Sequence, residues 1–157
     1  MRTAALIAAL VSTVGGLAMT GIWVMKGGAR QTERDSPDPS LDRLPTETTH
    51  MPVWMLVTHA LFAAIMLGLW IVYMFEPDTY DMVPGFNVFL LVCTAALGFV
   101  MLRNWLTDRR LIGDQYRFRE DIPAEQHFPA AGVFVHGLAG VTTLVLVFLV
   151  ALGVGVD

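Results

Sequence analysis

Four uninterrupted apolar runs divide the chain, at residues 4–25, 53–75, 86–105 and 130–155, and none carries Asp, Glu, Lys or Arg well inside it. Each is long enough to cross a hydrocarbon core of about 30 Å at about 1.5 Å per residue. A β-barrel would need alternating spans of about ten residues, and these runs are continuous. The pattern predicts an all-α membrane protein, a four-transmembrane-helix bundle. Met1-Arg2-Thr3 opens like a signal peptide, yet the run behind it reaches Met25 without an A-x-A site. It reads as a retained helix.

Polar sequence is confined to three connections. Residues 26–51 hold Lys26, Arg30, Arg34 and Arg43 among five acids, and their Ser-Pro-Asp-Pro-Ser centre cannot continue a helix. Residues 106–128 carry Arg109, Arg110, Arg117 and Arg119. The turn at 76–85 has Glu76, Asp78 and Asp81 and no basic residue. Two spans separate the long loops, so both lie on one side. Every Lys and Arg except Arg2 sits in them or, as Arg103, just inside the third span. The positive-inside rule then predicts a multi-pass protein of the cell (plasma or inner) membrane, with the long loops cytoplasmic and both termini outside. Trp23, Trp54 and Trp105 fall at that cytoplasmic boundary, where an aromatic belt is expected.

The polar positions repeat. Pro45-Thr-Glu47-Thr-Thr-His50-Met-Pro52, six residues and His59-Ala-Leu match Pro123-Ala-Glu125-Gln-His127-Phe-Pro129, six residues and His136-Gly-Leu. These two stretches contain all four histidines. A weaker echo pairs Leu10-Val-Ser12-Thr13, Met19 and Trp23 with Leu91-Val-Cys93-Thr94, Met101 and Trp105. The chain therefore reads as one membrane domain, 1–157, made of two parallel helical-hairpin repeats, 4–75 and 86–155. Pro52 and Pro129 fit the first turn of helices two and four. Those helices run in the same direction, which predicts that they are adjacent or face each other across a pseudo-twofold axis.

Composition narrows the classes. The chain is 55% hydrophobic and 15% charged, the balance of a membrane protein. A single cysteine, Cys93, excludes an intramolecular disulfide. No P-loop, H-E-x-x-H, G-x-S-x-G or C-x-x-C-H motif occurs, no basic tail points to nucleic acid, and no carboxylate lies mid-membrane. The chain does not read as an enzyme, and an ion-coupled transporter ranks third.

Candidate chemistry rests on the histidines. His59 and His136 lie seven residues beyond their prolines, about 10 Å into the membrane, at one shared depth. Two imidazoles so placed can ligate one haem iron axially. Small residues at that depth make room for a porphyrin: Gly15, Gly16 and Gly21 on helix one, Ala63 on helix two, Gly98 on helix three, Gly132 and Gly140 on helix four. The arrangement resembles the b-type cytochromes of respiratory complexes, in which parallel helices carry histidine ligands and neighbouring helices carry glycines. It departs from them in having one deep histidine per helix rather than two. The alternatives are a bare metal such as copper, or no cofactor, with the histidines bonding across helices and Ala60, Ala64 and Gly68 packing as a small-xxx-small face. His50 and His127 with Glu47 and Glu125 form a second candidate set, able to hold a divalent metal or else to cap helix starts.

Two functions follow. The first is a non-catalytic accessory or assembly subunit without a cofactor. In size, helix count and composition the chain is similar to the small accessory subunits of actinobacterial cytochrome bcc–aa3 oxidase supercomplexes, which implies oxidase subunits as partners within the bilayer. The alternative is a b-type cytochrome holding one haem b between His59 and His136.

Overall fold

The computed structural model describes residues 1–29, 49, 51–115 and 123–155. Four long helices fill them: α1 (Arg2–Met25), α2 (Val53–Phe75), α3 (Val83–Gln115) and α4 (Ala130–Ala151), with a short 3₁₀ helix at Ala124–His127. All four are long and apolar enough to cross a membrane. The protein is an all-α, multi-pass bundle.

The ends of the helices follow from local chemistry. Pro52 and Pro129 stand one position before the first helical residue, with φ −59° and −65° and ψ 130° and 126°. Proline supplies the φ, and the extended ψ turns the incoming chain away from the helix axis. The expected first-turn position is thus displaced by one residue. α1 and α4 each close on a left-handed glycine, Gly27 (φ 89°) and Gly153 (φ 79°). In each, the amide after the glycine donates to the third-last helical carbonyl: Gly28 N to Trp23 O and Val154 N to Leu149 O, both 2.9 Å.

α3 runs further than the 86–105 span expected for it, reaching Gln115. Charges from Arg103 onward end the apolar run but do not break the helix, because no proline intervenes. Arg109 lies 4.8 Å above the Trp105 ring one turn earlier, and Thr107 bonds back to Arg103 O at 2.9 Å. The loop-side end of this helix is held by its own side chains.

The helices run up and down in turn. α1 packs most closely on α4 and α2 on α3, which leaves α2 and α4 on the diagonal without close backbone contact. Two apolar cores stabilise the bundle at its ends. Toward the 76–82 turn, Ala5, Met66, Trp70, Leu90 and Val147 are buried together. Toward the long loops, Trp23, Met51, Trp105, Ala124 and Phe128 form the second core.

That second core corrects the reading of the tryptophans as a belt. Trp54 is 61% exposed and suits a membrane interface, but Trp23 and Trp105 are each only 2% exposed. Their indole N–H groups explain why burial is tolerated. Trp23 Nε1 donates to Thr49 Oγ1 (3.0 Å) and Trp105 Nε1 to Glu125 O (3.1 Å). The Ala60–Ala64–Gly68 stripe points away from the bundle; each of the three is exposed, and nothing lies within 4 Å of a side chain placed at Gly68.

Candidate functional site

Between the two cores lies a layer built from all four helices. Its centre is the pair His59 (α2) and His136 (α4), which meet across the diagonal with ring centroids 6.1 Å apart and planes inclined by 56°. Both are half-buried although they occupy the middle of the bundle.

Each ring is oriented by the neighbouring odd-numbered helix. His59 Nδ1 lies 2.9 Å from Thr94 O, and His136 Nδ1 lies 2.8 Å from Ser12 O. A carbonyl oxygen only accepts, so each Nδ1 carries the proton and donates it. The Ser12 hydroxyl adds a contact at 3.3 Å to His136 Nδ1 and to His136 O. Thr94 Oγ1 instead bonds back along its own helix to Leu90 O at 2.8 Å.

Glycine makes these bonds reachable. A helix carbonyl is flanked by the residue four positions on, whose Cβ leans back toward the helix N-terminus. Four residues after Ser12 stands Gly16, and four after Thr94 stands Gly98. A Cβ at Gly16 would lie 3.1 Å from His136 Cε1, and one at Gly98 would lie 3.1 Å from His59 Cε1. Gly15 also lines His136, at an ordinary 3.4 Å from its Cβ. Of the other small residues at this depth, Gly140 faces the Ser12 hydroxyl, Gly132 faces its own helix start at Pro129, and Gly21 meets nothing within 4 Å.

The working pairs of the odd-numbered helices are therefore Ser12 with Thr94, Gly16 with Gly98, and Trp23 with Trp105, each 82 positions apart. The Leu-Val tetrapeptides had paired Ser12 with Cys93 instead, one residue out of step. Ser12 and Thr94 are the contributors that sequence reading missed, and a Ser/Thr-x3-Gly pattern opposite each histidine was the available signal.

The separation of the rings tests what fits between them. With each nitrogen about 1.15 Å from its ring centre and a metal–nitrogen bond of about 2.0 Å, two trans imidazoles on one metal have centres about 6.3 Å apart. A tetrahedral angle at a bare ion would bring the centres to about 5 Å, and a direct ring-to-ring hydrogen bond to about 5.2 Å. The observed 6.1 Å agrees with trans ligation. Cε1, the atom that each glycine keeps clear, adjoins the nitrogen that would bind. The residues present fit a haem.

The second candidate set is different. His50 and Glu47 lie outside the described residues. Glu125 is 1% exposed and accepts a 2.7 Å bond from Thr49 Oγ1, whereas His127, two residues on, is exposed. Among the described residues no three His, Cys, Asp or Glu side chains converge as a metal site. No protein-family model, curated protein or solved structure matches the chain.

Proposed function

We propose that this chain is a membrane-bound b-type cytochrome that holds one haem between His59 and His136 and exchanges single electrons with a partner. One observation carries the reading: two imidazoles from diagonal helices stand 6.1 Å apart, with Nδ1 of each already committed to a backbone carbonyl. Metal-ligating histidines commonly donate their second N–H to such an acceptor, which fixes the tautomer and leaves Nε2 as the ligand. A haem held by both imidazoles would supply electron transfer rather than substrate chemistry.

What the chain itself contributes is placement. The carbonyls of Ser12 and Thr94 orient the ligands, Gly16 and Gly98 keep the space beside them clear, and the two end cores hold the helices at the required spacing. The distribution of Lys and Arg supports a cell-membrane protein with cytoplasmic loops and external termini. The matched halves of the layer support descent from a duplicated helical hairpin.

An absorption spectrum of the detergent-purified protein, expressed with ample haem, tests the proposal. A Soret band that shifts on reduction, with resolved α and β bands, is expected, and His59→Ala and His136→Ala should each remove it. A featureless visible spectrum would overturn the haem reading. The chain would then stand as a cofactor-free accessory subunit, to be pursued by asking which respiratory complex it purifies with.

A further inference from the structure

The histidine layer is not central along the helices, and its two sides differ in length. His59 and His136 are each the seventh residue of their helix, so about 10 Å of helix separates them from the long-loop end. Sixteen helical residues follow His59 and fifteen follow His136, leaving about 23 Å to the other end. Both halves are filled, the shorter by the second core and the longer by the first. Ala5 and Val147 are fully buried there, and Met66, Trp70, Leu90 and Val150 are at most 5% exposed. The longer half's buried polar side chains include Asn87, whose Nδ2 donates to Met66 O at 3.2 Å while its Oδ1 has no partner among the described residues, and Thr143, whose Oγ1 donates to Ala139 O at 2.8 Å.

From this asymmetry we infer that the site exchanges electrons through the long-loop face alone. The protein is then a one-sided relay, whose donor and acceptor are both one-electron carriers reaching that face, and not a conduit across the membrane. The inference rests on the haem reading above. Electron transfer falls steeply with distance, so the helix ends about 10 Å away are favoured over those about 23 Å away. The aromatic residues of the longer half do not provide a bypass. Trp70 and Tyr73 stand 5.2 Å apart, but removing an electron from either needs a far stronger oxidant than a bis-imidazole haem. A haem held by His59 and His136 would supply one-electron exchange, with the electron taken from a reduced carrier passing to an oxidised carrier at the same face.

The test uses the haem-loaded full chain in sealed phosphatidylcholine vesicles. Apart from Arg2, trypsin targets lie only toward the long-loop face, so external trypsin clips the loops of outward-facing molecules and reports their fraction. Dithionite added outside should promptly reduce that same fraction of the haem and leave the protected fraction oxidised. Ferricyanide trapped inside should not reoxidise the reduced haem. Prompt reduction of the protected fraction, or reoxidation by trapped ferricyanide in vesicles that remain sealed, would overturn the one-sided relay while leaving the haem in place. A chain that takes up no haem would overturn both.

Discussion

Adding one methyl group at Gly98 or Gly16 tests how closely the two histidine rings are seated. The new Cβ would stand 3.1 Å from Cε1 of His59 or of His136, closer than the 3.4–4 Å of ordinary contact. The imidazole must retreat by a few tenths of an ångström or more. For His59 that stretches the Nδ1–Thr94 bond from 2.9 Å past about 3.2 Å, the outer edge of a good N–H···O bond. Disturbing such an orienting bond typically weakens metal binding on the order of 10–100-fold. Helix propensity pulls the other way, since Ala is favoured over Gly by about 1 kcal/mol in a helix interior. Gly98→Ala and Gly16→Ala should therefore bind haem 10–100-fold more weakly, while thermal stability of the haem-free protein stays level or rises. Gly15→Ala meets His136 at only 3.4 Å and Gly137→Ala meets nothing within 4 Å, so both should keep near wild-type affinity. Haem titration of the purified variants, followed at the Soret band, measures all four. Wild-type affinity in both Gly98→Ala and Gly16→Ala would refute the argument that these glycines seat the two ligand rings.

Ser12→Ala should retain haem within about threefold, because the orienting acceptor for His136 is the Ser12 carbonyl at 2.8 Å and the hydroxyl is the weaker neighbour at 3.3 Å; a tenfold loss in the same titration would transfer the role to the hydroxyl. Trp105→Phe removes the Nε1 bond to Glu125 O from a buried setting and should cost about 1–2 kcal/mol. Trp54→Phe, at a 61% exposed position, should stay within about 0.5 kcal/mol. Thermal unfolding in detergent compares the two, and equal losses would return Trp105 to the role of an interfacial anchor.

The spans were legible in the sequence because transfer from water to hydrocarbon depends on composition alone, and composition along the chain is unambiguous. Depth was legible too, since 1.5 Å per residue converts the distance from Pro52 to His59 directly into height. Rotation about each helix axis was not. The helices are apolar on every side, so no stripe marks the inward face. The Ala60–Ala64–Gly68 spacing suggested a packing face that the bundle in fact turns outward. Only the two end cores fix the rotation that brings His59 and His136 together across the diagonal. The tryptophans were misjudged for a related reason. Sequence placed Trp23 and Trp105 at the right height, but their burial depends on Thr49 Oγ1 and Glu125 O, partners supplied by segments far away in the chain. α3 outran its expected end because charge stops a membrane span without stopping a helix.

A purely structural role leaves the second nitrogen of each histidine to account for. A histidine used as polar glue in hydrocarbon has two ring nitrogens to satisfy, and an unsatisfied one is costly there. In each ring the carbonyl contact places a proton on Nδ1, so in the neutral ring Nε2 is the nitrogen that accepts. Among the described residues the one buried side-chain polar atom without a partner is Asn87 Oδ1, so neither Nε2 is a sealed, unsatisfied nitrogen. The rings cannot serve each other, since two bare acceptors repel and 6.1 Å between centres exceeds a ring-to-ring hydrogen bond. Glue would be better made by a residue with one polar group, such as the Thr94 hydroxyl, which satisfies itself on Leu90 O. Under the proposed function, one haem iron would take a lone pair from each of the two rings.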